Sequence, residues 1–291
     1  MNSLSQDLKP RVWITGAGGL IGHYLWELAP AAVPAWDVWG VTRDQLDLAD
    51  FSAVRAAFKR RPPTIIIHCA AISRSTVCQS QPDLAWKMNV DVTRMLADLA
   101  KDIDFVFFST DLVFDGRLGR YQESDPVHPL SIYAETKVAA EKIVFGNPAH
   151  LVIRTSLNGG RSPTGDRGFN EEMRRAWAAG NTLRLFTDEF RSPIPAVVTA
   201  QATWELVKTR QTGLFHIAGR QRLSRWEIGQ LMAQRCPELH PRMEPASLRE
   251  YSGPPRPPDT TLDCAKAQRV LRFSLPGLAE WLAHHPAPGL F

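Results

Sequence analysis

Val12-Trp13-Ile14-Thr15-Gly16-Ala17-Gly18-Gly19-Leu20-Ile21-Gly22 joins a short apolar run to a glycine-rich turn and the start of a helical pattern. Residues 12–14 are an apolar run of strand character. They lead directly into glycines spaced G-x-x-G-x-x-G, at Gly16, Gly19 and Gly22, and then into apolar helical spacing over residues 20–28. Glycine at such a turn lets backbone N–H groups approach a pyrophosphate, and the following helix N-terminus adds unpaired donors and a positive dipole end. Three glycines alone would also suit a tight strand-helix turn with no ligand. Their place on the first strand of a β-α series points to dinucleotide binding, with Gly16, Gly19, Leu20, Ile21 and Gly22 as the expected contacts.

Outward from this turn the pattern repeats. Apolar runs at residues 38–41, 64–67, 105–108 and 151–153 alternate with amphipathic stretches at 51–59, 84–99 and 131–144. Runs apolar on both faces, separated by helical segments, belong to a parallel sheet covered on both sides. The fold class is therefore α/β, a Rossmann-type doubly wound parallel sheet. After about residue 155 the texture changes: Gly159-Gly160, Pro163, Gly165 and Gly168 mark a loop before a helical stretch at 170–179. Arg191-Ser192-Pro193-Ile194-Pro195 breaks the chain again, ahead of a helical run at 199–208 and a strand-like segment at 213–217. Pro254-Pro255-Arg256-Pro257-Pro258 reads as a stiff extended connector. The expected division is an NAD(P)-binding region over residues 1–155. A smaller C-terminal α/β substrate-binding region over 156–291 sends segments back to the sheet.

At 291 residues the chain can bury a full core. Its formal charge of +4 is spread among acids rather than gathered in runs, which argues against nucleic acid as a partner. Residues 1–9 lack the apolar centre of a signal peptide, and no later segment has the apolar length to span a bilayer. A cytoplasmic chain without a membrane partner is the expectation. Cys69, Cys78, Cys236 and Cys264 show no C-x-x-C spacing, so neither zinc nor a disulfide framework is expected, and no carboxylate cluster has metal-ligand spacing.

Cofactor choice falls to the end of the second strand. Asp37 precedes the apolar run and would sit at the wrong end, which leaves Thr42 and Arg43. An arginine there can pair with a 2'-phosphate, so NADP is expected, with NAD the alternative because Asp44 follows at once. Asp47 and Leu48 are read either as an adenine edge or as the acid and neighbour that open the next helix.

Tyr133-x-x-x-Lys137 puts a phenol and an ammonium on one helix face, while residues 105–108 run into Ser109-Thr110-Asp111 at the ligand-binding edge of the sheet. A phenol is a poor acid at neutral pH, and a lysine cation nearby moves it toward the working range.

With Gly16, Gly19 and Gly22, these residues resemble the extended short-chain dehydrogenase/reductases, and within them the dTDP-4-dehydrorhamnose reductase family. The likeness continues through Phe114-Asp115-Gly116, Arg154-Thr155-Ser156, Phe169-Asn170, Ser192-Pro193-Ile194, Phe215-His216-Ile217-Ala218-Gly219 and Arg256-Pro257-Pro258. The resemblance implies hydride transfer from NADPH to a keto group of a nucleotide-linked sugar. Tyr133 would give the proton, Lys137 would hold the ribose and lower the Tyr133 pKa, and Thr110 would orient the carbonyl. Asn89 matches a helical asparagine that supports a water relay, the other reading being an asparagine bonded to backbone. Cys69, Ala70 and Ala71 match the stretch beside the cofactor; His68, just before them, reads as a packed strand-end histidine rather than a base.

Leu112 and Leu157 stand where the family has tyrosine and tryptophan, which removes stacking surface for a sugar ring. Arg191 is the expected anion-binding residue of the substrate region. Two other readings follow from the same residues: an epimerase or dehydratase, and a non-catalytic NADP-binding regulatory subunit. A homodimer is a further implication of the family.

Overall fold

A computed structural model describes residues 9–286, so residues 1–8 of the opening segment lie outside the described residues. Five parallel strands, β1 (Arg11–Thr15), β2 (Asp37–Val41), β3 (Ile65–His68), β4 (Asp104–Thr110) and β5 (Leu151–Thr155), stand where the apolar runs place them. Helices α1 (Leu20–Ala32), α2 (Phe51–Arg60), α3 (Ser75–Ser80), α4 (Pro82–Trp86), α5 (Val92–Leu99) and α6 (Ile132–Val144) link them. The later half comprises β6 (Asn158–Gly159), α7 (Phe169–Ala178), β7 (Thr182–Phe186), β8 (Phe190–Arg191), β9 (Ile194–Pro195), α8 (Ala196–Lys208) and β10 (Gly213–Ile217). It continues with β11 (Leu223–Ser224), α9 (Arg225–Arg235), β12 (Arg242–Ala246), α10 (Ala265–Gln268) and α11 (Leu278–His284).

The main sheet runs β10-β5-β4-β3-β1-β2, all pairs parallel. Alternate residues feed opposite layers, as the period of two requires. Val12, Ile14, Ile65, Ile67, Val106 and Phe108 pack with Leu25 of α1 and Trp204 of α8, while Trp13, Ile66, Phe105 and Phe107 pack with α2, α5 and α6. The later half thus contributes a strand and a helix to the first: β10 lies beside β5, and the Trp204 indole N–H donates to the Leu25 carbonyl at 3.0 Å. Strand order reverses between β1 and β3, which opens a crevice at the carboxyl edge. Among the described residues, no helix is long and apolar enough to cross a membrane.

Two features depart from the periodicity. The single helix expected over 84–99 is interrupted by a π-helical turn, Lys87–Asp91, whose i→i+5 bonding is a local bulge that an apolar pattern read over the whole stretch does not single out. The parallel pair β7–β12 and the helix α9 form a second layer, where Gly229 of α9 lies against Leu185. Their short, mixed sequences lack a strong apolar face.

At the glycine turn a Cβ on Gly22 would lie 2.3 Å from the Gly16 carbonyl, whereas at Gly18 the nearest heavy atom is 4.0 Å away. Gly22→Ala is predicted to lower stability by about 1–3 kcal/mol and Gly18→Ala by less than about 0.5 kcal/mol. Urea unfolding midpoints at unchanged slope check both, and equal midpoints for the two variants would refute the packing account.

Candidate active site

A cleft of about 940 Å³ runs along the carboxyl edge of the sheet, from the glycine turn to Tyr251. Gly16 has φ +73°, and a Cβ there would meet the Ala70 nitrogen at 2.7 Å, so the turn after β1 presses on the exit of β3. Gly19 is the N-cap residue of α1 without a side-chain cap, so the first helical N–H groups open on the cleft. Leu20, Ile21 and Gly22 line this end, with Cys69, Ala70 and Ala71 on the facing wall. Thr42, Arg43, Asp47 and Leu48 line it at the exit of β2. The Arg43 side chain is 86% exposed and 4.0 Å from Asp47. Asp37 is at the far end of β2, held by Arg11 and Arg61 at 2.9 and 2.5 Å.

Thr110 ends β4, and Tyr133 and Lys137 sit on α6, whose N-cap Ser131 accepts the Ala134 N–H. All three line the cleft. Thr110 accepts the Leu112 N–H at 3.2 Å, while the neighbouring Ser109 hydroxyl is buried without a partner. Burial raises the Tyr133 phenol above its ordinary pKa, and the Thr110 hydroxyl opposes this. Burial also draws the Lys137 ammonium down to about 7, opposed by Glu141. Arg154 grips both Glu141 oxygens, at 2.8 and 2.7 Å.

The Lys137 charge acts on His68 and Cys69, and its Nζ lies 4.0 Å from the Phe107 ring centroid. Loss of water governs both Tyr133 and Lys137 and pushes each toward its neutral form.

Asn89, buried on the π-helical turn, spends its amide on a neighbouring loop. Its Oδ1 accepts the Ile72 N–H at 2.8 Å, and its Nδ2 donates to the Ile72 carbonyl and to Thr136 Oγ1 at 3.1 and 3.0 Å. Thr136 in turn donates to the Tyr133 carbonyl. The asparagine therefore joins a cleft-lining loop to the turn of α6 between Tyr133 and Lys137. His68 lies between Thr15 and Thr93, and burial lowers its pKa to about 3, which suits the packed histidine expected there.

Leu112 and Leu157 line the other end of the cleft, half-buried. Arg191 lines it too, but its guanidinium is turned into the protein: it bonds to the Phe190 and Pro257 carbonyls and lies 3.0 Å from Glu189. The guanidinium expected to bind an anion is thus already engaged by protein acceptors. Glu189, 1% exposed, is the hub: Arg256 grips it at 2.6 and 2.9 Å, and Arg225 is 4.0 Å away. Arg225 and Glu189 carried no signal in the sequence. They meet only when α9 and the proline connector fold over β8.

Residues 10–285 match the family model of the RmlD substrate binding domain. A probable low-salt glycan biosynthesis reductase of Haloferax volcanii is 31% identical over 286 residues, 93% of this chain and 95% of that protein. Methionine adenosyltransferase 2 subunit beta of Xenopus laevis is 29% identical over 280 residues, 89% of this chain and 82% of that one. Among solved structures, dTDP-4-dehydrorhamnose reductase from Bacillus anthracis in complex with NADP matches with a TM-score of 0.86. It is 25% identical, over 95% of this chain and 98% of that one.

The Lys137 shift makes stability depend on pH. Between about 7 and the ordinary 10.5 the unfolded chain holds a proton that the folded chain lacks. Stability of the wild type relative to Lys137→Met should therefore rise as pH is raised through that window. Urea titrations of both proteins across it give the answer, and parallel stability curves would refute the shift.

Proposed function

Because this chain belongs to the RmlD substrate binding domain family, we propose that it is an NADP-preferring reductase of the keto group of a nucleotide-linked sugar. The convergence of Thr110, Tyr133 and Lys137 in one cleft with the glycine turn carries this reading. The nucleotide end fits the cofactor: a Cβ on Gly16 or Gly22 would strike the backbone of Ala70 or Gly16, so the glycines let the turn lie flat, and the first α1 N–H groups face a pyrophosphate in the cleft. Arg43, exposed at the β2 exit, takes the 2'-phosphate. Thr42, Asp47 and Leu48 flank the adenosine, and Cys69, Ala70 and Ala71 the cofactor's inner face.

Bound NADPH supplies the hydride. Tyr133 gives its proton to the carbonyl oxygen as the carbon is reduced, and Thr110 holds that oxygen in place. Lys137 holds the ribose, and Asn89 fixes the loop that faces it. At the far end three guanidiniums, Arg191, Arg225 and Arg256, share the Glu189 carboxylate, an excess of positive charge that suits a diphosphate. Leu112 and Leu157 offer the sugar an apolar rather than a stacking surface. Residues 1–155 serve the cofactor and 156–291 mainly the substrate. A cytoplasmic setting and a homodimer belong to the same proposal and rest on family likeness; light scattering tests the pairing.

The likeness to methionine adenosyltransferase 2 subunit beta supports a second reading, a cofactor-binding regulatory subunit. Turnover separates the two. NADPH oxidation with a panel of nucleotide-linked keto-sugars should show catalysis that Tyr133→Phe lowers about 10²–10⁴-fold. Tight NADP binding without turnover on any member would overturn the reductase reading. Arg43→Ala should raise KM for NADPH about tenfold and leave KM for NADH unchanged, as loss of one charge-assisted phosphate contact requires. Equal effects on both cofactors would remove Arg43 from the 2'-phosphate site.

A further inference from the structure

A cleft that takes a dinucleotide has to let it in and out, and two side chains meet across this one. Arg74 is the N-cap residue of α3, beyond the exit of β3, and its Nη2 donates to the carbonyl and to Oδ2 of Asp166 at 3.2 and 3.0 Å. The two residues are 92 positions apart, and both line the cleft. They belong to opposite faces of the sheet. On one face α3 packs against α6, and Cys78 of α3 shares a buried cluster with Tyr133. On the other, the segment that carries Asp166 rests on α1: the Arg161 N–H donates to the Tyr24 hydroxyl at 3.0 Å, and a Cβ on Gly160 would lie 2.9 Å from the Tyr24 ring. The bridge therefore crosses the carboxyl edge of the sheet from the α6 layer to the α1 layer.

Both supports of the bridge are braced from within. Asn89 holds the N–H and carbonyl of Ile72, two residues before Arg74, and Cys78 Sγ donates to the same carbonyl at 3.3 Å. Glu171, 9% exposed, accepts the N–H groups of Ser162, Arg167 and Gly168 and the Ser162 hydroxyl, all at 2.7 to 2.9 Å. Thr164 and Arg167 hold Oδ1 of Asp166, and Arg175 stands 4.0 Å from Oδ2. The acceptor is thus fixed in place. The Arg74 side chain, by contrast, is half-exposed, so it can swing into water by changing rotamer while both backbones stay still.

We infer that Arg74 and Asp166 form a clasp that gates exchange of the dinucleotide without itself binding it. The inference rests on the cofactor reading of the glycine turn and is independent of the chemistry at Tyr133. A clasp that is closed over both the free and the loaded cleft slows entry and release by the same factor, the fraction of time it stands open, and so leaves affinity untouched. A guanidinium that contacts a cofactor phosphate acts differently: its loss speeds release and weakens binding.

Stopped-flow fluorescence of NADPH, bound and then displaced by excess NADP, gives association and dissociation rate constants for wild type, Arg74→Ala, Asp166→Asn and the double variant. Each single variant should raise both rate constants about two- to fivefold, the scale of a partly exposed ion pair, with Kd unchanged. The double variant should be no faster than either single one, because each substitution removes the same contact. Faster release with unchanged association would make Arg74 a phosphate contact and overturn the clasp. Wild-type rates in both single variants, or effects that add in the double variant, would overturn it as well. Failure of the wild type to bind NADPH at all is a separate outcome, which removes the cofactor reading and the clasp with it.

Discussion

The contact of Gly16 with Ala70, and of Gly22 with the Gly16 carbonyl, is the approach on which the site depends. Two backbone segments come closer there than any side chain permits. The turn after β1 then lies flat against the exit of β3, and α1 starts with its free N–H groups facing the cleft. Were the turn wider, the helix would rise off the sheet. Its packing against α8, through the Trp204 bond to the Leu25 carbonyl, would be lost with it. One close approach thus links the cofactor end to the later half of the chain.

The other end is closed by the segment that returns after the proline connector. Asp259 N–H donates to the Gly116 carbonyl, Tyr121 N–H to the Thr261 carbonyl, and Thr260 reaches Asp111. Residues distant in sequence therefore meet around the end of β4. The closure removes water from Tyr133, Lys137 and Asp111, and this desolvation governs their protonation more than any single neighbouring charge. Lysine and tyrosine on one helix face are a pattern of spacing. What they do to each other depends on the burial that surrounds both.

Much of this was legible in the chain because it depends on local chemistry. Short continuous apolar runs marked β1 to β5, and glycine spacing marked the nucleotide turn, since no other residue tolerates that backbone approach. Thr110, Tyr133 and Lys137 were legible because a strand end and a helical i,i+4 pair announce themselves by position. Asp37 could be set aside from strand direction alone, and it lies at the far end of β2 with Arg11 and Arg61. The π-helical turn under Asn89, the second layer of β7, β12 and α9, and the inward commitment of Arg191 were not legible. Each depends on partners far along the chain.

The order of residues was enough to specify the doubly wound sheet, the glycine turn and the identity of the groups at the carboxyl edge, because apolar runs and backbone permissiveness act over a few residues. Only the folded chain sets the surroundings that govern their proton affinity. Asp111 meets Ser156, Thr260 and Arg191, and Glu189 meets Arg225 and Arg256, only after the chain has crossed back over itself. Proton affinity depends on water excluded and charges brought near, and neither exists until that crossing is made.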